Sequence, residues 1–460
     1  MTQHLLYSFS EERVKQMLKN IRTQHPIGQG FFHSGEVRVK DEVLTYVYDC
    51  GSENNSALRA AISDYVASDD ITSLDILFVS HLDSDHVSGL DSLLVSVPTE
   101  NVVLPYLSNL ERLMLVAQAA ADNQLTGTFL AFARDPVEWF TLRGIKRVIF
   151  IEGDGDDENG PLNLPDNPIV PFDDDLDADV DSDFNVKDNQ RFSSKEDLPP
   201  RLRIDIEHLI KFATHRIPSR QVAKGLDSEV IHINHRTPLQ LLWDADTIDW
   251  VFIPFVHPDH DREDRFRKAV RMEFSSELEN GISESSFESS KLIGILQDKQ
   301  KRDRLADCYG LIRRNRNLTS MSVYSGPTQE YSSSELSRRS GRMRSHHFHE
   351  EGFSSQIGWL ATGDAGLKTK SRRTAFLRHY DQVIGYVSTF GLPHHGSKYN
   401  FHKELNLRHP IVCFASAGHR NKYGHPHEEV IQALDAHVWV ITERPMTILR
   451  EEVWIDNYCS

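Results

Sequence analysis

At 460 residues, with 39% apolar and 26% charged side chains, the chain has the composition of a folded globular protein and is long enough for two domains or one large domain with insertions. A net charge of −17 excludes a surface coated in basic side chains for nucleic acid, and no apolar run approaches the ~20 residues of a membrane helix. Cys50, Cys308, Cys413 and Cys459 form no CxxC pair and read as free thiols. Met1 to Arg13 is polar and acidic where a signal peptide is apolar, so the expected location is the cytoplasm.

In chain order, Ser8-Phe9-Ser10-Glu11 reads as a capping box, and Val14, Leu18 and Ile21 predict a first helix ending before Pro26. The turn Ile27-Gly28-Gln29-Gly30-Phe31-Phe32 leads to strands near Val37–Val39 and Leu44–Tyr48, the second ending in Asp49-Cys50-Gly51. Leu58, Ile62 and Tyr65 then predict a helix, and Asp75 to Val79 a buried strand. Val102 to Leu104 is a short strand, and Ser108 to Glu111 caps a helix running to about Asp122. A helix is expected over Phe129 to Leu142 despite Pro136, and a strand over Arg147 to Ile151. This alternation is the α/β pattern.

From Gly153 to about Pro200 the chain is rich in Asp, Pro and Asn, with an acidic run from Asp173 to Asp183, and reads as a solvated loop. Ile204 to Ile210, Glu229 to Ile233, Leu239 to Trp243 and Trp250 to Val256 are expected strands. Between Asp259 and Arg316, Phe266, Val270, Phe274 and Leu278, then Leu305, Tyr309 and Ile312, predict an inserted helical hairpin with a basic second half. Asn317 to Tyr324 and Gln356 to Ala361 read as paired strands around the loop Gly326 to Gly352. Tyr386–Leu392, Pro410–Ala415, Val438–Thr442 and Met446–Leu449 complete the strands, with helices at Thr374–Tyr380 and Glu428–Leu434.

The chemistry concentrates in a few strand ends. His81, Asp83, Asp85 and His86 put four potential metal ligands into six residues after the strand at Asp75–Val79. Burying them without a cation would desolvate ionisable groups with no compensation, and imidazole with carboxylate suits zinc, manganese or iron. Three later stretches are of the same kind: Thr362-Gly363-Asp364, Pro393-His394-His395-Gly396-Ser397 and Tyr423-Gly424-His425-Pro426-His427. His346, His347 and His349, in a Ser/Arg-rich loop, read as surface residues instead.

Together with Gly28-Gln29-Gly30 and Asp49-Cys50-Gly51, these motifs resemble metallo-β-lactamase-fold hydrolases. His81-x-Asp83-x-Asp85-His86 looks like their HxHxDH signature with Asp for the second His, a variant similar to the soluble hydrolase domain of ComEC-type competence proteins. The matched stretches lie in 27–90 and 317–430. The resemblance implies one α/β domain over 1–460, an αββα sandwich interrupted by the acidic loop (153–200) and the helical insertion (259–316).

By position, the resemblance also implies two divalent ions, Zn or Mn. His81 and Asp83 would serve one, Asp85 and His86 the other, and Asp364 would bridge them. One of His394 and His395 would be the late ligand, with His394 favoured. Asp49 would support the site from behind, His257 stands where the family's middle histidine falls, and His425 would lie at the mouth to touch a phosphate or donate a proton. Asp85, Asp364 and His425 are the expected catalytic residues. Phe31 departs from the acidic or polar residue usual after the Gly-Gln-Gly turn, and within these 460 residues no counterpart of the competence proteins' membrane channel is expected.

The function expected is therefore a metal-dependent phosphodiesterase or nuclease acting on DNA or another phosphodiester. Its rivals are a hydrolase of nucleotides or other small phosphorylated molecules, which the acidic charge favours, and an interaction module with a structural metal whose insertions bind a protein partner. Lys398, Arg372 and Arg373 are candidate phosphate contacts, and no membrane association is expected.

Overall fold

The computed structural model describes residues 17–68, 71–121, 125–153, 162–165, 202–222, 226–243, 246–257, 260–276, 295, 298–310, 319–332, 335–341, 356–407 and 412–456. Its strands are β1 (Met17–Gln24), β2 (Gly30–Val39), β3 (Glu42–Ser52), β4 (Leu74–Phe78), β5 (Thr99–Pro105) and β6 (Arg147–Glu152). There follow β7 (Leu202–Ile204), β8 (Ala213–Val222), β9 (Leu226–Asn234), β10 (Leu239–Trp243), β11 (Asp246–Phe255) and β12 (Ser322–Gly326). The last are β13 (Leu336–Gly341), β14 (Gly358–Ala361), β15 (Val387–Gly391), β16 (Val412–Ser416), β17 (His437–Ile441) and β18 (Leu449–Asp456). The helices are α1 (Asn55–Val66), α2 (Ser84–Val87), α3 (Leu90–Ser96), α4 (Asn109–Ala121), α5 (Gly127–Arg134) and α6 (Pro136–Thr141). They continue as α7 (Ile206–Lys211), α8 (His260–Glu273), α9 (Lys299–Gly310), α10 (Lys370–His379) and α11 (Glu428–Gln432).

Two mixed sheets result, ordered β13-β18-β1-β2-β3-β4-β5-β6-β9-β8 and β17-β16-β15-β14-β12-β11-β10-β7. Their inner faces share one apolar core, in which Tyr46 and Phe78 of the first sheet meet Phe252 of the second. Helices α1, α3, α5 and α6 cover the outer face of the first sheet, and α10 and α11 that of the second. Helices on both outer faces of a two-sheet core make the fold an α/β sandwich of αββα type. In each sheet a parallel block, β3-β4-β5-β6 in one and β14-β15-β16-β17 in the other, points the C-terminal strand ends to one edge.

Several expectations change. The described part of the expected first helix forms strand β1 over Met17–Gln24, with alternate residues buried, while Ser8–Glu11 and Val14 lie outside the described residues. Its inward positions are Leu18, Asn20, Arg22 and Gln24, so the strand's period of two is hidden by polar side chains. These polar side chains donate into the core: Asn20 Nδ2 to Glu36 O and Gln24 Nε2 to Ser416 Oγ, both at 2.9 Å. The helix expected over Phe129–Leu142 is two, because Asp135 leaves the helical region and its side chain caps α6 with Pro136 at the first position. The strand expected to run to Ile210 stops at Ile204, where Asp205 accepts from His208 N (2.9 Å) and starts α7. Strands β8 and β13 were not expected, and β18 extends well past the stretch read as a strand.

The acidic stretch lies almost wholly outside the described residues; Leu162, within it, packs under the second sheet. Of the helical insertion, α8 and α9 are described, while Leu278 and Ile312 fall outside. Phe266, Val270, Phe274, Leu305 and Tyr309 form a core with Leu113, Val116 and Ala117 of α4. Helix α4 carries the reciprocal capping box: Ser108 N donates to Glu111 Oε2 (2.8 Å) and Glu111 N to Ser108 Oγ (3.2 Å). Among the described residues no helix is long and apolar enough to cross a membrane.

A buried ionic network ties the two layers. Arg22 Nε reaches Glu451 Oε2 (2.9 Å), Arg338 Nη2 reaches Oε1 (2.6 Å), and Arg22 also donates to Ile357 O (2.8 Å) and Ser388 Oγ (3.2 Å). Burial opposes ionisation of Glu451, but the two guanidinium groups outweigh it and hold its pKa down to about 2. Since this folded value lies below the free value of 4.5, the stability it contributes is full above pH 4.5 and is lost as pH falls towards 2. Replacing Glu451 with Gln removes the carboxylate that the two buried guanidinium groups share and is expected to cost about 3–5 kcal/mol in denaturant unfolding at neutral pH.

Candidate metal centre

The centre forms where the C-terminal ends of the parallel strands of both sheets meet, the edge at which open α/β sheets commonly bind ligands. On the first sheet, β3 carries Asp49 near its C-terminal end, buried and held at a φ of 57°. Strand β4 runs on into Ser80 and His81, and the one-turn helix α2, with Asp83 at its N-cap, presents Asp85 and His86. Gly51 lies against the backbone of His86 and Val87, where any Cβ would overlap them. Only glycine lets β3 pass that close to α2.

Asp49 sets the orientation of two histidines. Its carboxylate accepts from Ser80 N (2.6 Å), from Ser80 Oγ (2.5 Å) and from His86 Nδ1 (2.7 Å). Because the Ser80 hydroxyl is spent on Asp49, its oxygen accepts from His81 Nδ1 (2.9 Å). A carboxylate only accepts, so both rings carry a proton on Nδ1 and turn Nε2 towards the centre. Among the described residues, His81 Nε2 and His86 Nε2 are buried without a hydrogen-bond partner.

The second sheet supplies the other half. Strand β14 leads through Gly363, at a φ of 50°, to buried Asp364, whose amide donates to Ser320 Oγ (2.9 Å). After β15, His394 and His395 are both left-handed, with φ of 47° and 57°. Two consecutive non-glycine residues in that region cost on the order of 1–3 kcal/mol each. The result is a splayed pair, the ring planes 85° apart.

The pair straddles Asp364. Oδ1 faces His86 Nε2 (3.3 Å) and His395 Nε2 (3.7 Å), while Oδ2 faces His81 Nε2 (3.6 Å) and His394 Nδ1 (3.5 Å). Asp85 Oδ2 lies 3.2 Å from His395 Nε2 and Asp83 Oδ2 3.9 Å from His81 Nε2. Ligand atoms of His81, His86 and Asp364 lie within 4.8 Å of one another, as do those of Asp85, His86 and His395. Burial opposes ionisation of Asp364, yet His394, His86, His395 and His81 hold its carboxyl well below the usual range. Against the cost of burial, Asp364 with Asp49 and Asp85 raises the pKa of His86, and Asp364 with Asp85 raises that of His395. Imidazole nitrogens gathered around a buried carboxylate, with a field at His86 and His395 that favours positive charge, fit a divalent cation, which would take the place of the proton on His86 Nε2.

The structure thus brings together His81, Asp83, Asp85, His86, Asp364 and both His394 and His395, where a single late histidine was expected. The two serve opposite oxygens of Asp364. His425 lies beside them, its ring 5.4 Å from that of His394 and 6.1 Å from that of His395. Burial, then His395 and His394, push its pKa down to about 3.

His257 is in neither ligand group; it sits past the end of β11 with its ring 6.4 Å from Phe255. The residue entering β12 beside the centre is Ser320, a contact of His81 and Asp364 that sequence reasoning passed over. A lone serine in a strand carries no periodic or spacing signal. Arg373 is buried, bonded to Glu404 Oε2 (2.6 Å) and Lys368 O (2.8 Å), which removes it as a phosphate contact. Lys398 bonds Glu429 (2.8 Å), and Arg372 approaches the space over Gly366. The triplet His346, His347 and His349 lies outside the described residues.

A cleft of about 560 Å³ opens onto the centre. Asp83, Asp85, Asp364 and His394 form its inner end; Gln29, Ser52, Glu53 and Asn55, the α4–α5 pair, and Lys422 with Tyr423 supply the rest.

No family model and no curated protein matches the chain. Among solved structures, the metallo-beta-lactamase fold protein YhfI from Bacillus subtilis is similar over 93% of this chain and 97% of its own, at 9% identity and a TM-score of 0.32. A likeness that loose carries no functional weight, and the class of the protein rests on the sandwich and the His/Asp cluster.

If Asp49 sets the two tautomers, Asp49→Asn should keep the fold and weaken Zn²⁺ or Mn²⁺ binding about 10–100-fold, read by competition with a chelating dye.

Proposed function

We propose that the protein is a metal-dependent hydrolase of phosphodiesters working with two divalent ions, zinc or manganese. The observation that carries the reading is the two-sided Asp364, each of whose oxygens faces its own pair of histidines. On this reading His81, Asp83, His394 and Asp364 would hold one ion, and Asp85, His86, His395 and Asp364 the other. Such a pair, when bound, supplies a water of lowered pKa and positive charge for the attacking and leaving oxygens of a phosphoryl centre.

The chain's own residues do the rest. Asp49 and Ser80 lock the imidazole tautomers before any ligand arrives, so no reorganisation is needed at the moment of reaction. Asn421 holds the loop of His425 by accepting from His425 N (2.9 Å) and donating to His425 O (2.7 Å). His425 Nδ1 is buried without a hydrogen bond, and on this reading the ring would engage a substrate oxygen or the leaving group.

The substrate scale follows from charge. Four carboxylates (Glu53, Asp83, Asp85 and Asp364) and one ammonium, Lys422, line the cleft among the described residues. Two divalent ions would turn that deficit into a small positive excess, which suits a single diester better than a long polyanion needing a basic track. This supports small phosphodiesters over long DNA as substrate.

Purified protein supplied with Mn²⁺ or Zn²⁺ should hydrolyse bis(p-nitrophenyl) phosphate, with chelation abolishing turnover. Asp364→Ala and Asp85→Ala should each lower kcat/KM about 1,000-fold, ~4 kcal/mol of transition-state stabilisation. Activity that survives both substitutions sinks the dinuclear reading. Faster cleavage of long DNA than of dinucleotides would reverse the preference for small substrates.

A further inference from the structure

We infer that the cleft beside the metal centre holds a second binding element, a seat for a planar, nucleobase-sized group formed by Tyr423 and helices α4 and α5, so that the preferred diester is a nucleoside phosphodiester. This rests on the phosphodiester reading for its chemistry, though the seat itself is a matter of binding.

The cleft's volume falls in the range of small-ligand sites, and its lining divides in two. The inner end is ionic. The remainder includes Leu115 and Ala119 of α4, Phe129 of α5 and the ring of Tyr423. Water activation and phosphate binding have no use for an apolar and aromatic lining. A phosphodiester presents such a group only through what it esterifies, and a nucleoside offers a flat π-face together with polar edges.

Tyr423 is built to be such a platform. Its hydroxyl donates to Glu53 Oε1 (2.7 Å) across the cleft mouth, and its amide donates to Asn421 Oδ1 (3.2 Å). Its ring lies near-parallel to His425 (5.5 Å, 21°), which lies near-parallel to His395 (6.1 Å, 27°). A stack of rings therefore leads from the metal ligand outward, ending in a tyrosine that stays 38% exposed. Lys422 Nζ sits over the ring, 4.9 Å from its centre, a cation on a flexible stem that a base stacking there would displace.

The apolar wall is held from behind by the helical insertion. Tyr309 of α9 donates its hydroxyl to Gln118 Oε1 (3.1 Å), fixing an amide that lines the cleft with its NH₂ group as a donor for a base edge. Helix α4 is also pinned to the centre, because its capping Glu111 accepts from Thr319 Oγ1 (3.1 Å), next to Ser320. The insertion thereby gains a role: it sets the position of the wall that selects the substrate.

The test is calorimetric titration of the full-length protein, in Mn²⁺, with thymidine 5′-monophosphate and with ribose 5-phosphate. The nucleotide should bind about 10-fold or more tightly than the sugar phosphate, the size expected of one base–aromatic stack. Tyr423→Ala should remove that margin while leaving ribose 5-phosphate affinity within about twofold, and Tyr423→Phe should retain it, since the ring remains. Equal binding of the two probes by the wild-type protein, no binding of either, or an equal loss for both probes in Tyr423→Ala overturns the inference. Nucleotide preference without hydrolysis of bis(p-nitrophenyl) phosphate would sink the phosphodiester reading and leave the seat standing; hydrolysis without nucleotide preference would do the reverse.

Discussion

The carboxylate of Asp49 is the hinge of this structure. It lies near the C-terminal end of β3, fully buried, and spends its lone pairs on Ser80 and His86. Through Ser80 it also fixes His81. A buried anion left unpaired would be costly, so β3, β4 and α2 can close only in the arrangement that satisfies it. That arrangement turns the Nε2 atoms of both histidines towards the second sheet. The left-handed φ of Asp49 and the close approach at Gly51 follow from the same demand, since the chain must turn sharply to deliver the carboxylate beneath His86.

The second sheet answers with one carboxylate and two histidines on a strained turn. Asp364 cannot meet four imidazoles unless the two sheets keep a fixed spacing at this edge. Met321 supplies part of that coupling: its carbonyl accepts from Tyr48 Oη (2.6 Å) and its amide donates to Ser80 O (2.7 Å). The Arg22–Glu451–Arg338 network joins the same two layers elsewhere. Backbone strain at His394 and His395 is what places one ring on each side of Asp364, an instance of conformational cost retained where a site needs it.

The segments outside the two-sheet core shape the cleft. Helices α8 and α9 share a core with α4 and leave the His/Asp cluster untouched, and α4 lines the cleft with Leu115, Gln118 and Ala119. The apolar wall of the cleft and its His/Asp cluster are thus carried by different parts of the chain, so the wall can change without disturbing the cluster.

Much of the centre was legible from residue type alone. His81, Asp83, Asp85, His86, Asp364, His394 and His395 stand at strand ends in glycine-marked turns, where ionisable side chains have no structural reason to cluster. Most strands and helices followed from periodicity, and the capping box at Ser108–Glu111 was readable because it is local. Strand β1 was misread because Asn20, Arg22 and Gln24 point inward, and their partners Glu36, Glu451 and Ser416 come from other strands. The same holds for Ser320, for the sharing of Asp364 between two histidine pairs, and for His257, whose place in the order of motifs did not bring it into the cluster. Local sequence determines which groups need a partner and which backbone turns sharply. Which partner each group meets depends on the register of two sheets whose contacting residues lie hundreds of positions apart, and only the folded chain decides it.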